Sequence, residues 1–148
     1  MSRFDWLFAW LAPLWLATWI GASIVFRLNR GKPVYPKRPA NSVYYEGWGS
    51  GRSLNTIWSR IGGASNCLII AVTREQLVVS PRFPFNLGFL PEVYGLEVTA
   101  PLRRVQVEKA AAGMFRTHVL LSIDGEQSTR MQLKLRDRAS FLAALTVA

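Results

Sequence analysis

The segment Thr129-Arg130-Met131-Gln132-Leu133-Lys134-Leu135 decides the fold class of the C-terminal part. Met131, Leu133 and Leu135 fall on one side of an extended chain, and Arg130, Gln132 and Lys134 on the other. That period of two is the pattern of a half-buried β-strand. Just upstream, Val119, Leu121 and Ile123 repeat the period, and Asp124-Gly125 separates the two runs. Asp-Gly suits the tight turn whose twist matches that of paired strands, so a hairpin is predicted here.

Working outward from this hairpin, the apolar run 67–73 (Cys-Leu-Ile-Ile-Ala-Val-Thr) breaks at Arg74-Glu75-Gln76 and resumes as Leu77-Val78-Val79-Ser80. It predicts a second hairpin, buried on both faces for part of its length. Residues 96–99 and 104–108 read as two shorter strands interrupted by Pro101, and 44–48 as a first strand. Downstream, Asp137 is placed to cap a helix whose Phe141, Leu142 and Leu145 share one face. The expectation for residues 43–148 is six to seven antiparallel strands followed by one helix.

Residues 28–42 have a different character. Pro33, Pro36 and Pro39 and Gly31 bar regular helix and favour an extended path. With Arg27 just before it, the stretch carries Arg30, Lys32, Lys37 and Arg38, and no acid occurs until Glu46. Before it, residues 6–26 hold no charged side chain. Twenty-one residues at about 1.5 Å each reach roughly 31 Å, the thickness of a bilayer's hydrocarbon core. A signal peptide would have a shorter apolar core and a small-residue cleavage site, and a buried core helix would show a polar face; this run has neither. It is read as a transmembrane helix within an anchor over residues 1–27, bent near Pro13. Trp6, Trp10, Trp19 and Phe26 lie toward its ends, where aromatic rings favour the interface. Trp15 lies mid-span and is read as facing a partner helix, with Ala17 and Gly21 permitting close approach.

The net charge of +9 is uneven. Six Lys/Arg oppose Asp5 alone in residues 1–38, whereas twelve oppose eight acids in the remainder. A cationic block beside an apolar run points to a membrane surface and away from nucleic acid. By the positive-inside rule the C-terminal domain faces the cytoplasm.

Three places carry a family resemblance. Ile70-Ala71-Val72-Thr73 with Leu77-Val78-Val79-Ser80-Pro81 looks like the "VT…L.ISP" hairpin of pleckstrin-homology-like (PH-like) and GRAM-type domains. The segment Pro101-Leu102-Arg103-Arg104-Val105-Gln106-Val107-Glu108 looks like their "PL..I..VE" strand. Asp137 with Phe141, Leu142 and Leu145 resembles their closing helix. The likeness covers residues 43–148 and implies a partly open barrel, a small bacterial version of which would sit at the inner membrane. It also implies binding rather than catalysis: such domains hold anionic headgroups with Lys/Arg at a basic mouth, or bind proteins.

Little in the sequence suggests chemistry. One cysteine (Cys67) and one histidine (His118) build neither an internal disulfide nor a Cys/His zinc site. Carboxylates are scattered, and the glycine-rich stretches 47–52 and 62–66 lack phosphate-loop context and read as flexible turns. No catalytic, cofactor or metal residue is assigned, and an enzyme is not expected. Candidate contacts with lipid or a membrane-associated protein are Arg27, Arg30, Lys32, Lys37 and Arg38, together with Phe83, Phe85 and Phe89. These three rings and Leu87 alternate, and would line one side if extended; the competing reading is that they fill the barrel mouth. A further expectation is a structural role in an inner-membrane complex assembled through the transmembrane helix.

Overall fold

The computed structural model describes residues 3–88, 90–112, 117–125 and 128–146. Helix α1 (Arg3–Asn29) runs as one element through Pro13. Within it, Ala9–Asn29 is long and apolar enough to cross a membrane, and nearly all of it is exposed. Seven strands follow: β1 (Ser42–Ser53), β2 (Ala64–Thr73), β3 (Gln76–Pro81), β4 (Val98–Pro101), β5 (Val105–Ala112), β6 (Thr117–Ile123) and β7 (Thr129–Leu135). Two short helices, α2 (Ile57–Ile61) and α3 (Leu90–Tyr94), interrupt them, and α4 (Arg138–Thr146) follows β7.

All neighbours in the sheet are antiparallel, in the order β4-β3-β2-β1-β7-β6-β5. Two meanders, β1–β4 and β5–β7, are joined where β1 pairs with β7. The edges β4 and β5 are consecutive in sequence and linked by a 3-10 turn, Leu102–Arg104, so the sheet curls into a partly open form. The molecule is mainly β, with a helix at each end. Cross-strand register places Val119 opposite Leu133 and Leu121 opposite Met131, so the alternation of both strands feeds one core. Leu68, Ile70, Val72, Leu77, Val79, Leu135 and Phe141 complete it without solvent exposure. Asp137 caps α4 by accepting from the Ser140 amide at 3.0 Å, and Phe141 meets Tyr44 edge to face at 5.3 Å.

The structure departs from the sequence reading in three places. The glycine-rich stretches are not simply flexible turns: residues 47–52 are the second half of β1, which is twelve residues long, and 64–66 open β2. The glycines are needed for proximity: a Cβ on Gly51 would stand 2.8 Å from Leu133 Cδ2 and 3.0 Å from the Gln132 carbonyl oxygen. Helix α2 was not anticipated; Thr56 and Ser59 form its capping box. Residues 83–88 turn rather than extend, so Phe83, Phe85 and Leu87 do not share the side that strict alternation implies. Leu87 is buried, Phe83 and Phe85 are exposed, and Phe89 lies outside the described residues.

Candidate functional site

Polar groups converge where α1 meets the β domain. The helix ends with Gly31 in the left-handed region, φ +67°. The Gly31 amide bonds to the Leu28 carbonyl at 2.9 Å, and the Lys32 amide reaches back to the Arg27 carbonyl at 3.0 Å. This paired reverse pattern is the Schellman motif, which closes the last carbonyls of a helix and favours glycine at its left-handed position. It also reverses the chain, so that the Lys32 ammonium arrives beside the Arg27 guanidinium.

Two like charges so placed need an anion, and β4's approach provides Glu97. Arg27 Nη2 lies 3.2 Å from Glu97 Oε1, and Lys32 Nζ lies 2.8 Å from Oε2. Lys32 also reaches Glu92 of α3 at 3.5 Å. Arg27 Nη1 donates to the Asn86 carbonyl at 2.9 Å, and Nη2 to the Pro33 carbonyl at 3.2 Å. Arg27 is only 2% exposed. A buried cation of this kind is tolerated only when paired and hydrogen-bonded. Asn86, also buried, donates from Nδ2 to the Val34 carbonyl at 2.7 Å. Arg27 Nε and Asn86 Oδ1 are buried at the junction without a partner among the described residues.

Apolar contacts extend the junction along α1. Trp19, Ser23 and Arg27 recur every four residues and so share a face. Ser23 is buried and donates to the Trp19 carbonyl at 2.8 Å. The Trp19 ring lies against Gly88, whose φ is +72° and where any Cβ would come within 2.0 Å of the indole. Tyr35 in turn meets Phe83 with ring centroids 4.6 Å apart. Residues 30–41 are thus clamped for part of their length.

The sequence-predicted contact residues therefore divide. Arg27 is corrected from a surface cation to a buried one, because Glu97 and two carbonyls enclose it. Lys32 is largely committed to the same carboxylate. Arg30 lies over the Phe26 ring at 4.3 Å, and Arg38 over Tyr45 at 5.1 Å. Both cations are exposed, as is Lys37. Trp10 and Trp15 are 65% and 70% exposed, whereas Trp19 is partly covered by the domain; Trp6's side chain lies outside the described ones. Among the strand cations, Arg130 forms a two-pronged pair with Glu108 at 2.9 and 2.8 Å. Sequence reasoning missed Glu97, Glu92 and Asn86. The only signal was numerical: three polar residues in an otherwise apolar stretch, 83–97, with no local partner.

A second polar group lies near the start of β1. Glu46, 9% exposed, accepts from the Tyr44 hydroxyl at 2.7 Å and the Arg136 amide at 3.3 Å. Burial, and then the Glu46 carboxylate, push the Tyr44 phenol well above its usual range. Burial likewise raises the Cys67 thiol, which makes it a poorer nucleophile at neutral pH.

No family model, curated protein or solved structure matches the chain. Its identity rests on its own architecture: an exposed apolar helix joined, through a buried arginine, to a mainly β domain of seven antiparallel strands closed by a C-terminal helix.

Proposed function

We propose that this chain is a membrane-anchored, non-catalytic binding module. In this reading α1 crosses the bilayer, and the PH-like β domain faces the cytoplasm, at the inner membrane of a bacterium. There it recognises anionic lipid headgroups or a membrane-associated protein. The observation that carries the proposal is the Arg27–Glu97–Lys32 cluster. A domain that hung from a flexible tether would sample all orientations. One whose own carboxylate holds the last turn of its anchor presents a fixed face to the membrane. Such pre-organisation lowers the cost of recognising anything in the membrane plane.

The PH-like assignment is supported by the two-meander sheet and the helix packed on it through Phe141. The cations left for headgroups are Arg30, Lys37 and Arg38, each worth on the order of 1 kcal/mol beside an anionic surface. A second reading, a subunit assembled through α1, is favoured by Trp15, which is exposed at mid-span, where an indole N–H finds no water.

The test uses the full chain, because removing α1 would strip Glu97 of Arg27. A photo-crosslinking residue is placed at Lys37 and, separately, at Trp15, in native membranes. Adducts to anionic phospholipid or to one protein at position 37 support the module. A protein adduct at position 15 alone supports the subunit reading. Only zwitterionic lipid at both positions rejects the two together.

A further inference from the structure

Helix α2 carries an apolar face that nothing among the described residues covers. Ile57, Trp58 and Ile61 are 72%, 73% and 80% exposed, whereas Ser59 on the opposite side is buried. Their i, i+1, i+4 spacing spreads them over about 100° of the helix, one side of it. Its place in the fold ties it to α1. Tyr94 of α3 packs against Gly62 at the end of α2. Ser59 of α2 lines a cavity together with Val93 and Glu97, and Glu97 holds Arg27. Val93 of α3, 56% exposed, and Phe85 of the 83–88 turn, 52% exposed, are further uncovered apolar side chains on the segment between β3 and β4.

Depth along α1 favours lipid as the occupant. The Gly88 turn touches α1 at Trp19, seven residues before Phe26. That is about 10 Å along the helix axis. If residues 6–26 fill the hydrocarbon core, the turn that carries Phe85 reaches that far below its surface. Amphipathic elements that lie in a membrane interface bury to about 5–10 Å, so the depths agree. The charge also fits: Arg60 and Arg52 are exposed beside the α2 face, and Arg30 beside α1. Tryptophan at the rim of such a face is suited to the headgroup level.

Building on the anchor reading above, we infer that the β domain is itself a monotopic membrane binder. The Ile57/Trp58/Ile61 face of α2, with Val93 and Phe85, inserts into the interfacial layer of the anionic leaflet beside α1. The domain then touches the bilayer twice, through its anchor and through this rim, and lies against the membrane instead of standing off it.

The test places a single cysteine at Ile61, in the full chain carrying Cys67→Ser, and labels it with an environment-sensitive fluorophore. Trp58→Cys serves as a second labelling site, and Arg103→Cys, at the far end of β4 from Glu97, as the reference. The protein is reconstituted into vesicles of equal parts phosphatidylcholine and phosphatidylglycerol. Shallow spin-labelled lipid should quench positions 61 and 58 at least about threefold more than position 103, with iodide showing the reverse order, as interfacial burial requires. Iodide quenching at 61 and 58 equal to that at 103 overturns the inference. So does shielding from both quenchers, which would mean a protein neighbour. Alkaline carbonate extraction of the same sample separates the two levels of argument. Release from the vesicles removes the anchor reading and this inference with it; retention together with iodide access removes this inference alone.

Discussion

At the scale of single residues, the behaviour of the junction follows from a guanidinium that solvent does not reach. Arg27 has Glu97 as its counter-charge, with Lys32 sharing the second carboxylate oxygen. Taking away one member of a buried pair leaves the other desolvated and unmatched. Glu97→Ala should therefore destabilise the protein by about 3 kcal/mol, whereas loss of Lys32, whose side chain is a third exposed, in Lys32→Ala should cost less than about 1 kcal/mol. Thermal melts in detergent micelles, followed by circular dichroism, check the order. Tyr44 and Cys67 supply a pH prediction. Both are held neutral by burial, so their folded-state values lie above the unfolded ones. Stability is then full at neutral pH and falls as alkali deprotonates the unfolded chain first, from about pH 8.5 for the thiol and about pH 10 for the phenol. Tyr44→Phe should flatten the later part of that decline. It should also cost about 1–3 kcal/mol at pH 7, by withdrawing a donor from the buried Glu46. Denaturant midpoints measured from pH 7 to 11 test both.

At the scale of elements, two close approaches decide geometry. In β1, Gly51 sits under the Leu133 side chain and the Gln132 carbonyl. A side chain tip can yield but a strand carbonyl cannot, so Gly51→Val should destabilise by about 1–3 kcal/mol and weaken the β1–β7 pairing that joins the two meanders. Hydrogen exchange of amides 50–53 and 131–134 reads this directly. The second approach is Gly88 against Trp19. Gly88→Val places a β-branched residue at positive φ and drives its Cβ into the indole, so the turn should lift from α1. Residues 30–41 would then lose their clamp, and trypsin should cut the Lys37–Arg38 bond several-fold faster than in the unaltered chain. Adding Trp19→Ala opens the space but leaves the backbone strain, so it should restore protection only in part. A cleavage rate unchanged by Gly88→Val would show that the contact does not hold the linker. The turn over 83–88 and the α2 helix were opaque to sequence reading for a common reason. Short elements of five or six residues carry too few periods to declare themselves, and the partners that stabilise them lie far along the chain: Trp19 for the turn, Tyr94 for the end of α2.

At the scale of the whole molecule, a long apolar helix and a β domain behave as one unit because charges near the end of the first are neutralised by a carboxylate of the second. The pairing also bears on topology. With Arg27 and Lys32 matched to Glu97 after folding, Arg30, Lys37 and Arg38 remain as the cations that favour the cytoplasmic side. A phosphatase that works only outside the cytoplasm, fused to the C-terminus, should be inactive, and a cytoplasmic fluorescent reporter there should be bright; the opposite pair would reverse the proposed orientation. By itself the sequence determined the types of the longer, strongly periodic elements, because burial period and charge-free length are local properties. Alternation in 129–135 required a strand, the charge-free run required a long exposed helix, and Asp137 with Phe141 required a capped helix packed on the core. Only the tertiary structure decided the sheet order, the strand role of the glycines in β1, and the fate of the basic residues after α1. Whether a cation meets solvent or a carboxylate depends on what folds against it. Glu97 lies seventy residues from Arg27, a separation across which no local pattern carries information.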